Sequence, residues 1–428
     1  MCKASYTSLF LIILVVTVVL RSIGDVVEEV TVPWQVLDFT NSIFLVGGVF
    51  VSYLLPWVFI PFIAGRVIDI AKNKSFVVAL CMIMQILSVL LIMFMLSTGL
   101  ENLWFLGIVY LSIVVISTTD SIHRYFVFTS IPELVGKNEA LLNKFNSITE
   151  LSSGIGTIIM YVLCGYLVAV YGYKTLWIDI VCLTIIAFLL IDLGKEFKKK
   201  RSCFDKDASM NEDKQIKFKE LLSIIRRDPL VFSYLIVALG FNFFTAPVSL
   251  ILINYLYNAV DKPTEYYGFI MAISTLGSII GSSIVATYSK KLKYISCIII
   301  GLLGEAVAVA GIYFIIAFSN VYYDWVFTLL LVIGMYMLMA VMGAVLNIGA
   351  DTLFQIRIPR EVLGSFRGLF DSLATIPMAL SYIVVSAILE TWGYTIITAS
   401  LMGIGSILAV SLYIIYIGKQ YTGSSHTR

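Results

Sequence analysis

Charged side chains are scarce in this sequence, at 13% of the residues, while hydrophobic residues make up 60%. Soluble proteins are about 25% charged and about 45–50% apolar. The imbalance leaves long stretches without any charge, such as Leu9 to Leu20. The composition therefore excludes an ordinary soluble domain and predicts an all-α integral membrane protein.

Groups that commonly carry out chemistry are also few. There are two histidines, and the six cysteines are scattered, with no CxxC pair. This pattern predicts neither a disulfide framework nor a metal site, and it argues against an enzyme. The nucleotide-binding pattern GxxxxGK followed by Ser or Thr does not occur either, which argues against an ATP-driven pump. We expect no cofactor.

Apolar segments of membrane-spanning length occur in two groups of six, separated by a charged stretch. This arrangement predicts an N-terminal six-helix bundle over 1–193, a cytoplasmic central loop over 194–228, and a C-terminal six-helix bundle with a short tail over 229–428. The predicted segments are 6–37, 43–64, 76–97, 103–128, 143–170, 174–193, 229–257, 265–288, 294–318, 324–349, 362–389 and 393–417.

The distribution of the 29 lysines and arginines predicts the orientation of these segments. With a cytoplasmic N-terminus, only Lys174 and Lys262 fall on outer loops, and Arg21 falls inside the membrane. The other 26 lie on the cytoplasmic side, as the positive-inside rule requires. Both termini are therefore predicted to be cytoplasmic. We expect the basic central loop to face water or lipid headgroups and to need no nucleic-acid partner.

The first segment carries an unusual polar cluster near its middle, at Arg21, Asp25, Glu28 and Glu29. On a helix these side chains share about a third of the circumference. An ionisable group at that depth costs at least about 2.5 kcal/mol unless it faces protein or water. We expect a water-filled cavity beside this face. The alternative is that Arg21 and Asp25 neutralise each other and have a structural role only.

The two groups of segments are related by internal repeats. At an offset of 221 residues, Glu150 falls on Asp371; at an offset of 227, Asp120 falls on Asn347. Several such matches together indicate two pseudo-symmetric halves related by an axis along the membrane normal.

The stretch from Gly65 to Lys74, between the second and third segments, carries a further motif. A glycine is followed four residues later by Asp69 and then by two lysines. With twelve predicted segments and a basic central loop, this motif resembles that of the major facilitator superfamily, in which arginines are usual at Ile70 and Asn73. The resemblance implies the major facilitator fold of two six-helix bundles.

Three shorter matches resemble the macrolide-efflux-like drug:proton antiporters of that superfamily. They are Ile23–Asp25, Ile131–Val135 and Gln355–Pro359. One departure is Thr157, which stands after Gly154-Ile155-Gly156 where these antiporters usually have proline. The resemblance implies a monomeric transporter of the bacterial plasma membrane whose energy source is the proton gradient.

The resemblance also implies roles for particular residues. A carboxylate in a poorly solvated cavity can carry a proton, so the coupling sites are predicted among the acids of the first and fourth segments. Asp25 and Glu28 are the leading candidates, while Asp179 is read as structural. The proton-coupling candidates are Asp25, Glu28, Glu29 and Asp120. The predicted substrate cavity comprises Arg21, Trp34, Asn242, Asn347, Asp351 and Gln355. The predicted conformational latch comprises Gly65, Asp69, Arg124, Glu150 and Asp371.

The sequence as a whole predicts a secondary transporter that moves an amphipathic small molecule out of the cell in exchange for protons. Two alternatives stay open: the exporter of a siderophore or another metabolite, and a proton-coupled uptake symporter. The expected partners are the small-molecule substrate, protons and the lipid bilayer.

Overall fold

The computed structural model describes residues 2–59, 74–99, 103–135, 139–204, 223, 225–260, 263–288, 293–322, 324–359 and 362–424. Within these ranges the chain is helical, as predicted. Two compact units are present. Unit 1 comprises Met1–Asn41 and Leu55–Gln215, and unit 2 comprises Ser42–Leu54 and Ile216–Arg428.

The helices of the first half are α1 (Cys2–Thr40), α2 (Ile43–Phe59), α3 (Lys74–Ser97), α4 (Leu103–Val135), α5 (Glu139–Tyr171) and α6 (Trp177–Phe204), with a 3-10 turn at Gly172–Leu176. Those of the second half are α7 (Pro229–Thr245), α8 (Val248–Ala259), α9 (Pro263–Tyr288), α10 (Tyr294–Tyr322), α11 (Trp325–Arg357), α12 (Leu363–Trp392) and α13 (Ile396–Ser424).

Ten stretches in the described part of the chain are long and apolar enough to cross a membrane. Their outward faces carry large apolar side chains such as Leu87, Phe188 and Leu412, each more than half exposed. Apolar surface on this scale needs lipid around it. The chain is therefore a multi-pass membrane protein, while the exact count of twelve spans stays a prediction.

Two helix boundaries differ from the predicted ones for local reasons. The first helix runs on to Thr40 and ends at Asn41, whose φ of +50° is left-handed, a conformation that asparagine tolerates. The segment predicted as 229–257 is broken into α7 and α8 at Pro247, which has no backbone N–H to continue the helix.

Unit 1 is built around α1. This helix packs against α4, α5 and α6, and α3 packs against α4 and α6. Trp34 of α1 is fully buried, as are Val27 and Val30. A helix that is apolar on most of its circumference and buried on several sides can hold its few polar side chains inside the unit.

Unit 2 contains close helix contacts at glycines. A Cβ on Gly281 of α9 would lie 2.3 Å from the backbone oxygen of Val341 on α11. A Cβ on Gly301 of α10 would lie 2.7 Å from the backbone nitrogen of Leu346, also on α11. Small residues at such positions let membrane helices approach closely, and here they bring α9 and α10 against α11.

Helix α7 begins with a side-chain cap. The Asp228 Oδ1 atom accepts hydrogen bonds from the backbone N–H groups of Leu230 and Val231, at 2.9 and 3.3 Å. Asp228→Ala is expected to lower the free energy of unfolding by about 1 kcal/mol, because it leaves these donors without the cap. Thermal unfolding of the purified protein measures the loss.

Asp228→Asn is the matched control. Asparagine caps a helix about as well as aspartate, but it removes the charge that faces Arg357 at 3.5 Å. The asparagine variant should therefore unfold close to wild type. If the alanine and asparagine variants lose equal stability, the ion pair and not the cap is responsible.

Candidate functional site

The polar face of α1 lies inside unit 1 and centres on the Arg21 guanidinium, whose residue is only 4% exposed. Its Nη2 atom lies 2.5 Å from Asp25 Oδ1, one helical turn away. Both Nη atoms lie 3.4 Å from the Glu28 carboxylate, two turns away. Three of the four predicted polar residues of this helix thus meet in one place.

Other helices complete the shell around Arg21. Its Nε atom donates to Asp120 of α4 at 2.9 Å, and its Nη1 atom donates to Asp179 of α6 at 3.4 Å. Gln85 of α3, in the amide orientation that satisfies its hydrogen bonds, accepts from Nη2 and Nη1 at 2.8 and 3.0 Å. One arginine therefore connects four helices of unit 1.

A second arginine borders this group on its more exposed side. Arg124 donates from Nε to Asp120 at 2.8 Å and from Nη2 to Asp25 at 3.2 Å. Its side chain is 57% exposed, and it also lies over the Trp57 ring at 5.7 Å. We call the six charged residues the Arg21 cluster. They are Arg21, Asp25, Glu28, Asp120, Arg124 and Asp179.

The Arg21 cluster has more acids than bases. Four carboxylates face two guanidinium groups, so the fully ionised cluster has a net charge of −2. Glu28 and Asp179 both lie 3.4 Å from the Arg21 guanidinium, so two buried carboxylates share one cation. The Oδ2 atom of Asp179 is buried and has no hydrogen-bond partner among the described residues. A proton on one of these carboxylates would reduce both the charge excess and the cost of desolvation.

Gly24 makes the contact between α1 and α6 possible. A Cβ at this position would lie 2.1 Å from Asp179 Oδ1 and 3.1 Å from Arg21 Nη1. Only a residue without a side chain leaves room for the carboxylate beside the helix backbone. Packing between α1 and α6 therefore explains the glycine of the Ile23-Gly24-Asp25 motif, which the sequence alone did not explain.

Sequence reasoning placed several of these residues differently. Asp179, which is interpreted as structural, is fully buried and contacts Arg21 directly, and its role stays a prediction. Gln85 was not predicted at all, although a polar residue in an apolar helix is a usable signal. Glu29 does not join the cluster, because its carboxylate accepts from the Tyr161 hydroxyl of α5 at 2.7 Å. A water-filled cavity is expected beside this face of α1. Around Arg21 and Glu28, protein side chains occupy that space instead.

Part of the predicted substrate cavity lies in unit 2. A cavity of about 310 Å³ is lined by Asn242 of α7 and by Asn347 and Asp351 of α11. Gln355, one turn beyond on α11, is exposed and outside this lining. Trp34 lies in the core of unit 1. The predicted cavity residues therefore fall into separate groups in the two units.

The predicted latch is only partly described. Gly65 and Asp69 lie outside the described residues, as does the side chain of Glu150. Arg124, another residue of the predicted latch, has Asp120 and Asp25 as ion-pair partners. Asp371 pairs with Arg367 on the same helix, at 3.0 Å.

Comparison with known proteins places this arrangement in a family. The model of the Major Facilitator Superfamily matches residues 5–382. The chain belongs to the Major Facilitator Superfamily. It is therefore a membrane transport protein and not an enzyme, which confirms these predictions at the level of the superfamily.

Solved structures agree with the Major Facilitator Superfamily fold. The nucleoside transporter NupG has a TM-score of 0.73 at 13% identity, covering 95% of this chain and 98% of that one. A bacterial homologue of the iron transporter ferroportin, in an inward-facing state, has a TM-score of 0.72 at 16% identity, with 95% and 98% covered.

A further structural relative is a POT family transporter in complex with 5-aminolevulinic acid. It has a TM-score of 0.70 at 10% identity, covering 95% of each chain. At these identities the likeness concerns the fold alone. No curated protein matches the chain.

Proposed function

We propose that this Major Facilitator Superfamily transporter exports an amphipathic small molecule in exchange for protons, by alternating access. We further propose that it lies in the bacterial plasma membrane with both termini in the cytoplasm, as the lysine and arginine distribution predicts. The motifs that resemble macrolide-efflux-like antiporters support this direction and substrate type. The observation that carries the proton coupling is the acid excess of the Arg21 cluster.

The coupling follows from the charge balance of the Arg21 cluster. A buried group with net charge −2 is costly, so the cluster favours uptake of a proton. Asp25 is the natural entry point, since it contacts both the buried Arg21 and the exposed Arg124. Glu28 lies deeper, at 2% exposure, and shares the Arg21 guanidinium with Asp179.

A proton on either acid changes what holds the helices of unit 1 together. Protonated Asp25 or Glu28 no longer attracts Arg21 as an ion, so the guanidinium shifts its contacts toward Asp120 and Asp179 on α4 and α6. Such an exchange of partners is a two-state element that protonation can bias. The proposed transport mechanism couples this exchange of partners to the movement of the substrate.

The test uses vesicles of known orientation that contain wild type, Asp25→Asn or Glu28→Gln. Internal pH is followed while macrolide-like compounds and lipophilic cations are added. Wild type is expected to move protons against at least one compound, and each substitution should reduce this movement at least tenfold at equal protein levels, because it removes a protonatable group.

Asp192→Asn is the matched control, since Asp192 lies on α6 like Asp179 but is exposed. It should behave as wild type. If Asp25→Asn and Glu28→Gln both exchange protons normally, the Arg21 cluster is structural and the proposed coupling site is wrong. Proton movement in the same direction as the compound would instead support the uptake symporter.

A further inference from the structure

The cavity of unit 2 has an aromatic wall. Tyr234 stacks on Phe370 with ring centroids 5.7 Å apart and planes 5° apart, and it meets Phe354 edge-on at 5.8 Å. Phe241 lines the same space. The rings of Tyr234, Phe354 and Phe370 fix one another, because each contacts the other two at centroid distances of 4.7 to 5.8 Å. The wall is thus preformed for an apolar or aromatic body.

One cationic side chain lines this cavity, and it already has two anionic partners. Arg367 donates from Nε to Asp371 and from Nη1 to Asp351, and its guanidinium lies 5.8 Å from the centre of the Phe354 ring. With both neighbouring carboxylates ionised, this group of three has a net charge of −1. It offers no excess positive charge for an anionic ligand.

Glu305 of α10 is the remaining charged residue of the lining. Among the described residues it has neither a hydrogen bond nor an ion pair, and it is only partly exposed. Its carboxylate faces Gly343 of α11, where a Cβ would lie 3.6 Å from Oε2. A carboxylate within a membrane-spanning helix needs a partner to offset its desolvation.

Amide groups provide further polar contacts. Asn242 donates from Nδ2 to the backbone oxygen of Ala374 at 3.1 Å, which fixes its amide and leaves Oδ1 as an acceptor. Asn347 lines the cavity from α11. The cavity thus combines a fixed aromatic wall, amide groups and a carboxylate that has no partner among the described residues. Its volume, about 310 Å³, is near the lower limit for small-molecule sites.

We infer that the unit 2 cavity binds a small organic cation, with the positive group at Glu305 and the apolar body against the aromatic wall. This inference rests on the proposed function in that it names the substrate class of the exporter. Aromatic faces attract cations as well as apolar groups, so both parts of the ligand find partners. An organic anion finds no unpaired positive group among the described residues of the lining.

The test measures binding to the purified protein without a proton gradient. The probe is radiolabelled benzyltrimethylammonium, whose charge does not depend on pH. Its uncharged carbon isostere, neopentylbenzene, is the competitor. Wild type should bind the cation, and the isostere should compete at least tenfold less well than unlabelled cation. Glu305→Gln should weaken binding at least tenfold, whereas Glu305→Asp should keep much of it.

Two further variants separate binding from folding. Glu265→Gln removes a carboxylate of unit 2 outside the cavity and should bind as wild type. Gly343→Leu keeps the charge of Glu305 but fills the space beside its carboxylate, so it should also weaken binding. Each variant is first compared with wild type by size exclusion and thermal unfolding.

Equal binding by wild type, Glu305→Gln and Gly343→Leu would overturn the inference. So would the absence of cation binding to wild type, or equal competition by the uncharged isostere. None of these results depends on proton movement. The vesicle experiment on Asp25 and Glu28 therefore tests the proposed coupling separately, and either idea can fail without the other.

Discussion

Replacement of Arg21 by glutamine is expected to lower the free energy of unfolding by about 3–5 kcal/mol, the usual cost of removing one partner from a buried ion pair. Arg21 contacts four carboxylates. Among the described residues, Glu28 and Asp179 form no ion pair with Arg124, whose partners are Asp25 and Asp120. Without Arg21 these two buried acids lose their cationic partner. Thermal unfolding of the purified variant measures the effect.

Arg124→Gln is the matched control. Arg124 contacts two of the same carboxylates, but its side chain is 57% exposed, so water replaces much of the lost interaction. Its loss of stability should be distinctly smaller. Arg21→Lys should fall between wild type and Arg21→Gln, because one ammonium group cannot reach Asp120 of α4 and Asp179 of α6 as the guanidinium does.

A compensating variant tests the charge balance directly. Arg21→Gln combined with Glu28→Gln and Asp179→Asn removes the arginine and the two acids that depend on it. This triple variant should recover stability relative to Arg21→Gln, yet it should not exchange protons. If Arg21→Gln alone is as stable as wild type, the buried acids take up protons when the arginine is absent. The ion pairs of Arg21 would then not carry the stability expected of them.

The Arg21 cluster links stability to the proposed transport. Arg21 joins α1 to α4 and α6 through Asp120 and Asp179, and its pairs with Asp25 and Glu28 within α1 are the ones that a proton would weaken. The site has to keep unit 1 folded and still lose one contact when a proton binds. Arg21 meets both demands, because it keeps Asp120 and Asp179 as partners when Asp25 or Glu28 takes up a proton.

The helical class and much of the cluster were predictable from the sequence. Arg21, Asp25 and Glu28 stand out because charges within an apolar helix have few acceptable positions, and helical spacing places them on one face. Asp179 carries the same signal, since it is also a charged residue within an apolar helix, and the structure places it in contact with Arg21.

Other features depend on contacts that spacing along the chain does not determine. The separation of Glu29 from Glu28 follows from the position of Tyr161 on another helix. Glu305 has no ion pair among the described residues, and Arg367, which lines the same cavity, pairs with Asp351 and Asp371. The break at Pro247, in contrast, could have been predicted from the sequence, since proline has no backbone N–H to continue a helix.

Gly24→Ala is expected to lower the free energy of unfolding by about 2–3 kcal/mol, at the upper end of the usual cost of overpacking. The added Cβ would lie 2.1 Å from Asp179 Oδ1, so this carboxylate has to leave its place beside Arg21. Asp179 is fully buried, and a displaced carboxylate finds no water there. Proton exchange in vesicles should fall as well, since the Arg21 cluster loses the contact between Asp179 and Arg21.

Gly107→Ala and a double variant make this prediction specific. Gly107 lies on α4 of unit 1, and a Cβ there meets nothing within 4 Å, so its alanine variant should unfold as wild type does. Gly24→Ala combined with Asp179→Ala should be no less stable than Asp179→Ala alone, because the atom that clashes is gone. Additive losses in the double variant would mean that Gly24 acts through something other than Asp179.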